Sequence, residues 1–410
     1  MGDVAGEDRG RTDEREGVKN RWECRASQAL PEFGIRKIFE RAARLEAKGR
    51  EIIHLELGRP DFDTPDPIKE AAKEALDEGQ VHYTPNWGTI ELRQTISRHL
   101  EERLGVRYDP ADEILVTVGT SEGLFLIMGA YLEPGDGVLV PSPGYPAYWA
   151  GPLWFRARPV PIKCPGDLGF QPDLDSLDPE GCQLMIINSP ANPTGAVWNE
   201  QTLKGIADLA REKDLLLVTD EIYSDIVFEG RHQSIASLEG MRDRVLVLDG
   251  VSKSYSMTGW RVGYVAGPRQ LIRPLYKLRQ YNTVCAAAFA QAGARAALES
   301  GTRWVKPMVE EFRRRRDYLI PALNQLPGFV CPVPQGAFYA FPDIRGVGMS
   351  SEELSFYLLE EAGVATVPGS EFGPDGEGHI RISYAASAED LRRAVSCMAD
   401  ALGRARRSRH

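Results

Sequence analysis

Residues 184–223 read LMIINSPANPTGAVWNEQTLKGIADLAREKDLLLVTDEIY. Two short apolar runs, 184–187 and 215–218, stand on either side of a helix-like stretch, 200–212. Apolar runs of this length bounded by turn residues read as buried strands, and strands that alternate with helices predict a mostly parallel sheet covered on both faces. Working outward, further apolar runs occur at 114–118, 137–140 and 245–248, with another helical stretch at 121–132.

Towards the C-terminus, 303–326 reads as one long helix, with Pro307 near its first turn and Pro321 expected to kink it or end it early. A smaller region follows, with strand candidates at 336–341 and 379–383. At the other end, Ile35, Ile38, Ala42 and Leu45 recur at helical spacing and predict an entry helix. The expected fold class is therefore α/β, with a large domain carrying the sheet and a small α+β domain built from both chain ends. The predicted divisions are an N-terminal tail over 1–25, the first part of the small domain over 26–60, the large domain over 61–305 and the rest of the small domain over 306–410. Met1 to about Arg21 is charged, with almost nothing to bury, and is expected to be disordered.

With 42% hydrophobic and 26% charged residues in 410, the chain has ample material for a core. Its longest apolar run, 124–132, is far too short to cross a membrane. No apolar segment follows the N-terminus, so a secretory signal is not expected. Six widely spaced cysteines without a CxxC pair argue against a disulfide framework or a metal site. They favour a reducing compartment, and the predicted location is cytoplasmic. A net charge of -10 disfavours a nucleic-acid partner. The basic runs at 313–316 and 404–409 read as a solvated helix face and a frayed terminus.

Functional residues in such a sheet gather at the C-terminal ends of the strands. The turn after 184–187 is Asn188-Ser189-Pro190-Ala191-Asn192-Pro193-Thr194-Gly195, and 215–218 leads to Asp220-Glu221-Ile222-Tyr223. After 245–248 come Gly250-Val251-Ser252-Lys253 and then Gly259-Trp260-Arg261-Val262-Gly263; after 114–118, Gly119-Thr120-Ser121 opens a helix. The helix N–H groups at Thr120 and Ser121, with Arg261, make a phosphate cradle. Asp220 can pair with a protonated ring nitrogen, Tyr223 and Asn192 can hydrogen-bond a ring oxygen, and Lys253 can form a Schiff base. A phosphorylated pyridine carrying a phenolate and an aldehyde meets all of these demands: pyridoxal 5′-phosphate. No GxxxxGK[ST] loop and no GxGxxG after a strand competes with it.

On these residues the chain resembles the fold-type I pyridoxal-phosphate enzymes, in the class I/II aminotransferase family related to aspartate aminotransferase. The matching motifs run from Leu57-Gly58-Arg59-Pro60-Asp61-Phe62 to Arg381-Ile382-Ser383-Tyr384. The most specific is 250–263, GVSKSYSMTGWRVG. The resemblance implies a seven-stranded type of sheet, with 61–305 as the cofactor-binding domain. It implies that Lys253 holds the cofactor and then serves as general base and acid, with its pKa lowered by the site. Asp220 would keep the ring nitrogen protonated, Asn192 and Tyr223 would bind the ring oxygen, and Tyr145 would stack on the ring. Thr120, Ser121 and Arg261 would bind the phosphate. Tyr83 would reach the phosphate of a neighbouring subunit, which implies a homodimer with shared active sites. Arg381 would clamp the substrate α-carboxylate, with Gly58 and Asn192 beside it. One departure concerns Gly250, where many relatives place a phosphate-binding serine; Ser252 is the residue that can compensate.

The implied reaction moves an amino group between an L-amino acid and a 2-oxo acid. Elimination, cyclisation or oxidation after the same α-proton abstraction is the alternative, with a non-catalytic regulator behind it. Relatives specific for dicarboxylates place a cation near 283–289 or at the position of Ser121. Here 283–289 reads TVCAAAF, without a cation. An unpaired distal carboxylate is costly to desolvate, so neutral amino acids are the expected substrates rather than aspartate.

Overall fold

The structure, a computed structural model, describes residues 22–31 and 34–407, so the stretch 1–21 expected to be disordered lies outside the described residues. Seven strands form the central sheet: β1 Ile114–Thr117, β2 Gly137–Ser142, β3 Arg158–Lys163, β4 Cys182–Asn188, β5 Leu216–Asp220, β6 Val245–Gly250 and β7 Gly263–Ala266. Their order is β1-β7-β6-β5-β4-β2-β3. All pairs are parallel except those of β7, which runs antiparallel to both β1 and β6.

Side chains alternate across the sheet, as the two-residue period of a strand requires. Leu115, Val140, Ile186, Val218 and Leu248 pack on one face, with Leu126 and Ile127 of helix Gly119–Tyr131 and Ile272 of helix Arg269–Arg279. Ile114, Leu139, Ile187, Leu217 and Val247 pack on the other, with Ile96 and Leu100 of helix Ile90–Leu104 and Leu203 and Ile206 of helix Glu200–Glu212. Each such burial contributes roughly 1.5–3 kcal/mol. Both faces are covered, which is why the strands read as continuous apolar runs. Asn199 starts the second of those helices by accepting from the Thr202 N–H at 2.9 Å.

Two strands of this sheet were not expected. In β3, Pro159 and Pro161 interrupt the apolar pattern. The strand lies at the sheet edge and pairs only with β2, and two prolines two residues apart present their missing N–H groups to the same, open side. β7 opens at Gly263, inside a segment whose chemistry had masked its four-residue apolar pattern.

The second domain is assembled from both chain ends. Ile53–His54 pairs in parallel with Val364–Ala365, and an antiparallel sheet runs Val367–Pro368, Ile380–Ser383, Tyr339–Ala340. Its core joins Phe312, Leu319 and Leu323 to Leu391, Met398 and Leu402. The entry helix is Gly34–Glu46, with Ile38 and Ala42 packed against Leu359 and Ala365. The strand candidate 336–341 is regular only over Tyr339–Ala340. The long helix is Val305–Leu323, so Pro321 does not end it before its own position. The proline removes one hydrogen bond in the last turn, while Leu319, Ile320 and Leu323 remain buried in the core.

This topology collects chemistry at one edge. Asn188, Asp220 and Gly250 are the last residues of β4, β5 and β6, and Asn188 lies beside Asp220 in register.

Candidate active site

At those strand ends lies a cavity of about 400 Å³. Its walls include Gly58, Thr120, Ser121, Tyr145, Asn192, Asp220, Tyr223, Ser252, Lys253, Arg261 and Arg381. The structure thus brings together all but one of the residues singled out in the sequence. The exception, Tyr83, is 86% exposed and does not line the cavity.

Lys253 stands in the turn after β6, and its Nζ donates to the Gly58 carbonyl at 2.6 Å. Burial, then the positive charges of Arg381 and Arg261, brings its amine down to about 8, against the pull of Asp220. Asp220 is 6% exposed. Its Oδ2 accepts from the Tyr148 hydroxyl at 2.7 Å and its Oδ1 from the Ile222 N–H at 3.2 Å. Burial outweighs these two donors and pushes the carboxyl up to about 6. The site therefore holds a carboxylate at neutral pH that lacks a cationic partner in direct contact, across the same cavity from a partly neutral amine.

Asn192 is placed by Asn188, whose Oδ1 accepts from the Asn192 N–H at 2.9 Å and whose Nδ2 donates to the Asp220 carbonyl at 3.1 Å. Arg381, on strand Ile380–Ser383, donates to Asn192 Oδ1 at 3.0 Å and to the Glu56 carbonyl at 2.6 Å. Its guanidinium lies 4.6 Å from the Tyr339 ring centroid and 5.1 Å from that of Phe372, and its Nε has no hydrogen-bond partner. A buried guanidinium with an unpaired donor is suited to a carboxylate.

At the opposite end, Gly119 opens the helix carrying Thr120 and Ser121 with a φ of 69°. Its first-turn N–H groups have no intrahelical acceptors. A Cβ on Gly119 would overlap the Arg261 guanidinium, and one on Gly263 would come within 2.7 Å of the Thr120 nitrogen. Glycine at both positions thus lets arginine, strand and helix end converge. Arg261 Nη1 donates to the Thr258 carbonyl at 3.0 Å, leaving the rest of its fork available. Gly250 also has a steric reason: a Cβ there would stand 2.8 Å from the Cα of Gly263. A side chain has no room at that position, whereas Ser252 lines the cavity.

Among the site residues missed in the sequence are Tyr148, Tyr339 and Glu56. Tyr148 stands three positions after Tyr145, one helical turn along Pro146–Trp154, and that spacing was the available clue. Tyr339 and the Glu56 carbonyl come from remote segments and left no local pattern. Behind the site, Arg103 bridges Glu221 at 3.0 Å and Asp249 at 2.8 Å, tying the β5 turn to the end of β6.

A parallel sheet with one reversed strand, together with a cavity that sets an amine, a carboxylate and a guanidinium around one space, defines an α/β enzyme of group-transfer chemistry. Residues 50–397 match the family of class I and II aminotransferases. The chain is 41% identical to an aspartate aminotransferase of Pyrococcus abyssi, over 89% of this chain and 94% of that protein. It is 40% identical to aromatic-amino-acid aminotransferase 2 of Thermococcus litoralis, with the same coverage of 89% and 94%. An aromatic aminotransferase structure from Pyrococcus horikoshii superimposes with a TM-score of 0.84 at 40% identity, covering 88% of this chain and 99% of that one. The chain belongs to the class I and II aminotransferases.

Proposed function

We propose that this aminotransferase works with pyridoxal 5′-phosphate attached through Lys253, and that it transfers the amino group of an L-amino acid to a 2-oxo acid. The observation that carries this reading is the cavity itself: a buried amine brought down to about 8, a carboxyl pushed up to about 6 by burial, and a buried arginine, all lining one space. When bound, the cofactor supplies an electron sink for the bonds of the substrate α-carbon. The chain's residues do the rest. Asp220 keeps the ring nitrogen protonated, while Asn192 and Tyr223 serve the ring oxygen and Tyr145 the ring face. Thr120, Ser121, Ser252 and Arg261 hold the phosphate. Arg381, with Gly58 and Asn192 beside it, orients the substrate carboxylate. Lys253 holds and moves the α-proton. Elimination, cyclisation and oxidation are not favoured by relatives consistently named aminotransferases.

Among the described residues lining the cavity, the cations are Lys253, Arg261 and Arg381, each already given a role. Arg279, the cation nearest in sequence to 283–289, is fully buried beside Glu122 and cannot serve a neighbouring chain's site. Neutral amino acids are therefore expected to be transaminated faster than aspartate. A screen of amino donors and oxo-acid acceptors, with product masses recorded, tests this. A kcat/KM clearly favouring aspartate would overturn the preference, and ammonia in place of a new amino acid would overturn transamination.

The same reading makes the working unit a homodimer. Tyr83 is exposed and does not line this cavity, so its proposed role is on the phosphate of a second copy. Tyr83→Phe is expected to weaken cofactor retention in a dimer seen by sedimentation; full activity at concentrations where only monomer sediments would remove that role. All six cysteines are free, with Cys164 and Cys331 buried, which supports a reducing, cytoplasmic setting that fractionation of the producing cells would check. No helix among the described residues is long and apolar enough to cross a membrane.

A further inference from the structure

Tyr339 is 1% exposed, and its strand places it opposite Ser383, two residues along from Arg381. Three contacts meet on this one side chain. Its ring lies under the Arg381 guanidinium at 4.6 Å. Its hydroxyl stands 2.8 Å from that of Tyr223. A Cβ on Gly58 would come 2.7 Å from the same hydroxyl, so glycine there leaves room for it, and the Gly58 carbonyl is the acceptor for Lys253.

The two phenols share one hydrogen bond, and either oxygen can be the donor. Tyr223 has a single proton. Donated to Tyr339, it is lost to the cavity; if Tyr339 donates instead, the Tyr223 proton is free to serve an acceptor there. An acceptor bound in the cavity selects the second direction, because a hydrogen bond received strengthens the one given. Burial, first among the causes, pushes both phenols above their ordinary range, so both keep their protons at working pH. The ionisable groups facing the pair are Arg381, Asp220 and Tyr145, with Lys253 Nζ 5.9 Å from the Tyr223 ring.

We propose that Tyr339 is a positioning residue whose hydroxyl donates to Tyr223, turning the Tyr223 proton into the cavity, and whose ring seats Arg381. The inference rests on the pyridoxal-phosphate reading above. It joins the partner of the ring oxygen to the clamp for the substrate carboxylate through one side chain.

Two substitutions in the cofactor-loaded enzyme separate these roles. Tyr339→Phe keeps the ring and loses the hydroxyl. A ring oxygen with a weaker donor holds the proton on the attached Lys253 nitrogen more tightly. The pH midpoint of the visible absorbance change is thus expected to rise by about 0.4 to 1 unit, as for loss of one hydrogen bond. The shift takes the same direction as in Tyr223→Phe. kcat falls about 2- to 10-fold, and KM for the amino acid stays unchanged because Arg381 keeps its platform. Tyr339→Leu moves the midpoint equally and raises KM as well. A midpoint unmoved in Tyr339→Phe overturns the proposal, as does a lowered Tm with no spectral change. If the wild-type protein, mixed with pyridoxal 5′-phosphate, showed no bound cofactor absorbance at any pH, the cofactor reading itself would fall, and the two failures are thereby distinguished.

Discussion

Replacing Lys253 by alanine is expected to slow amino-group transfer by about 10⁴-fold or more, the upper range for a positioned acid–base group, and to abolish borohydride tethering of the cofactor. The physical ground is the environment of the amine. In the folded chain it is brought from 10.5 to about 8 by burial and by two arginines. At pH 7 about a tenth of the molecules then carry a neutral amine, and at pH 8 about half. Attachment of pyridoxal 5′-phosphate to cofactor-free protein should accordingly speed up as pH rises and level off above about 8, not above 10. Tethering is read by mass after reduction. In Lys253→Ala the cofactor should still bind without a covalent link, since Asp220, Arg261 and the helix end at Thr120 remain. Loss of binding together with activity would point to misfolding, and activity within tenfold of wild type would sink the assignment.

Asp220→Asn carries the second-largest expected effect. The substitution keeps the shape of the side chain and removes its charge. Taking away one partner of a buried charged pair costs about 3–5 kcal/mol, so kcat/KM should fall about 10²- to 10⁴-fold. The carboxyl stands at about 6 in the cofactor-free chain. A cation placed against it favours the ionised form, so cofactor binding should itself draw protons off Asp220 when the complex forms below pH 6. Calorimetry in two buffers of different ionisation enthalpy measures that transfer. Proton release larger in wild type than in Asp220→Asn is the expected pair of results, since protons lost from Lys253 and from the phosphate are common to both; equal release in both would show that the charge lies elsewhere. Tyr148→Phe should fall between the two proteins in rate, because it removes one donor to the carboxylate and leaves the charge in place.

Much of this site is legible in the chain. Asp220 stands two residues past the end of one apolar run, and Asn192 and Lys253 each stand five residues past the end of another. A strand that ends in a turn of unusual polarity declares both its direction and its cargo within about ten residues. The same holds for the helix opened by Gly119. What the sequence could not show is how remote segments complete the site. Arg381 reaches Asn192 and the Glu56 carbonyl only because the C-terminal strand pairs beside Tyr339 and the N-terminal strand lies against the Val364–Ala365 pair. Gly250, a departure on paper, has a steric cause visible only once Gly263 is beside it.

By itself, the sequence determined the alternation of strand and helix, the chemical types at the strand ends and the family to which they point. Each of these is encoded in short windows, where apolar period and turn chemistry act locally. The tertiary structure alone decided that Pro159 and Pro161 lie in an edge strand, that Tyr148 braces Asp220, that Tyr339 links Tyr223 to Arg381, and that Arg279 is fully buried beside Glu122. Those facts depend on register and packing between segments far apart in the chain, and such contacts arise only when burial of the two sheet faces brings the segments together.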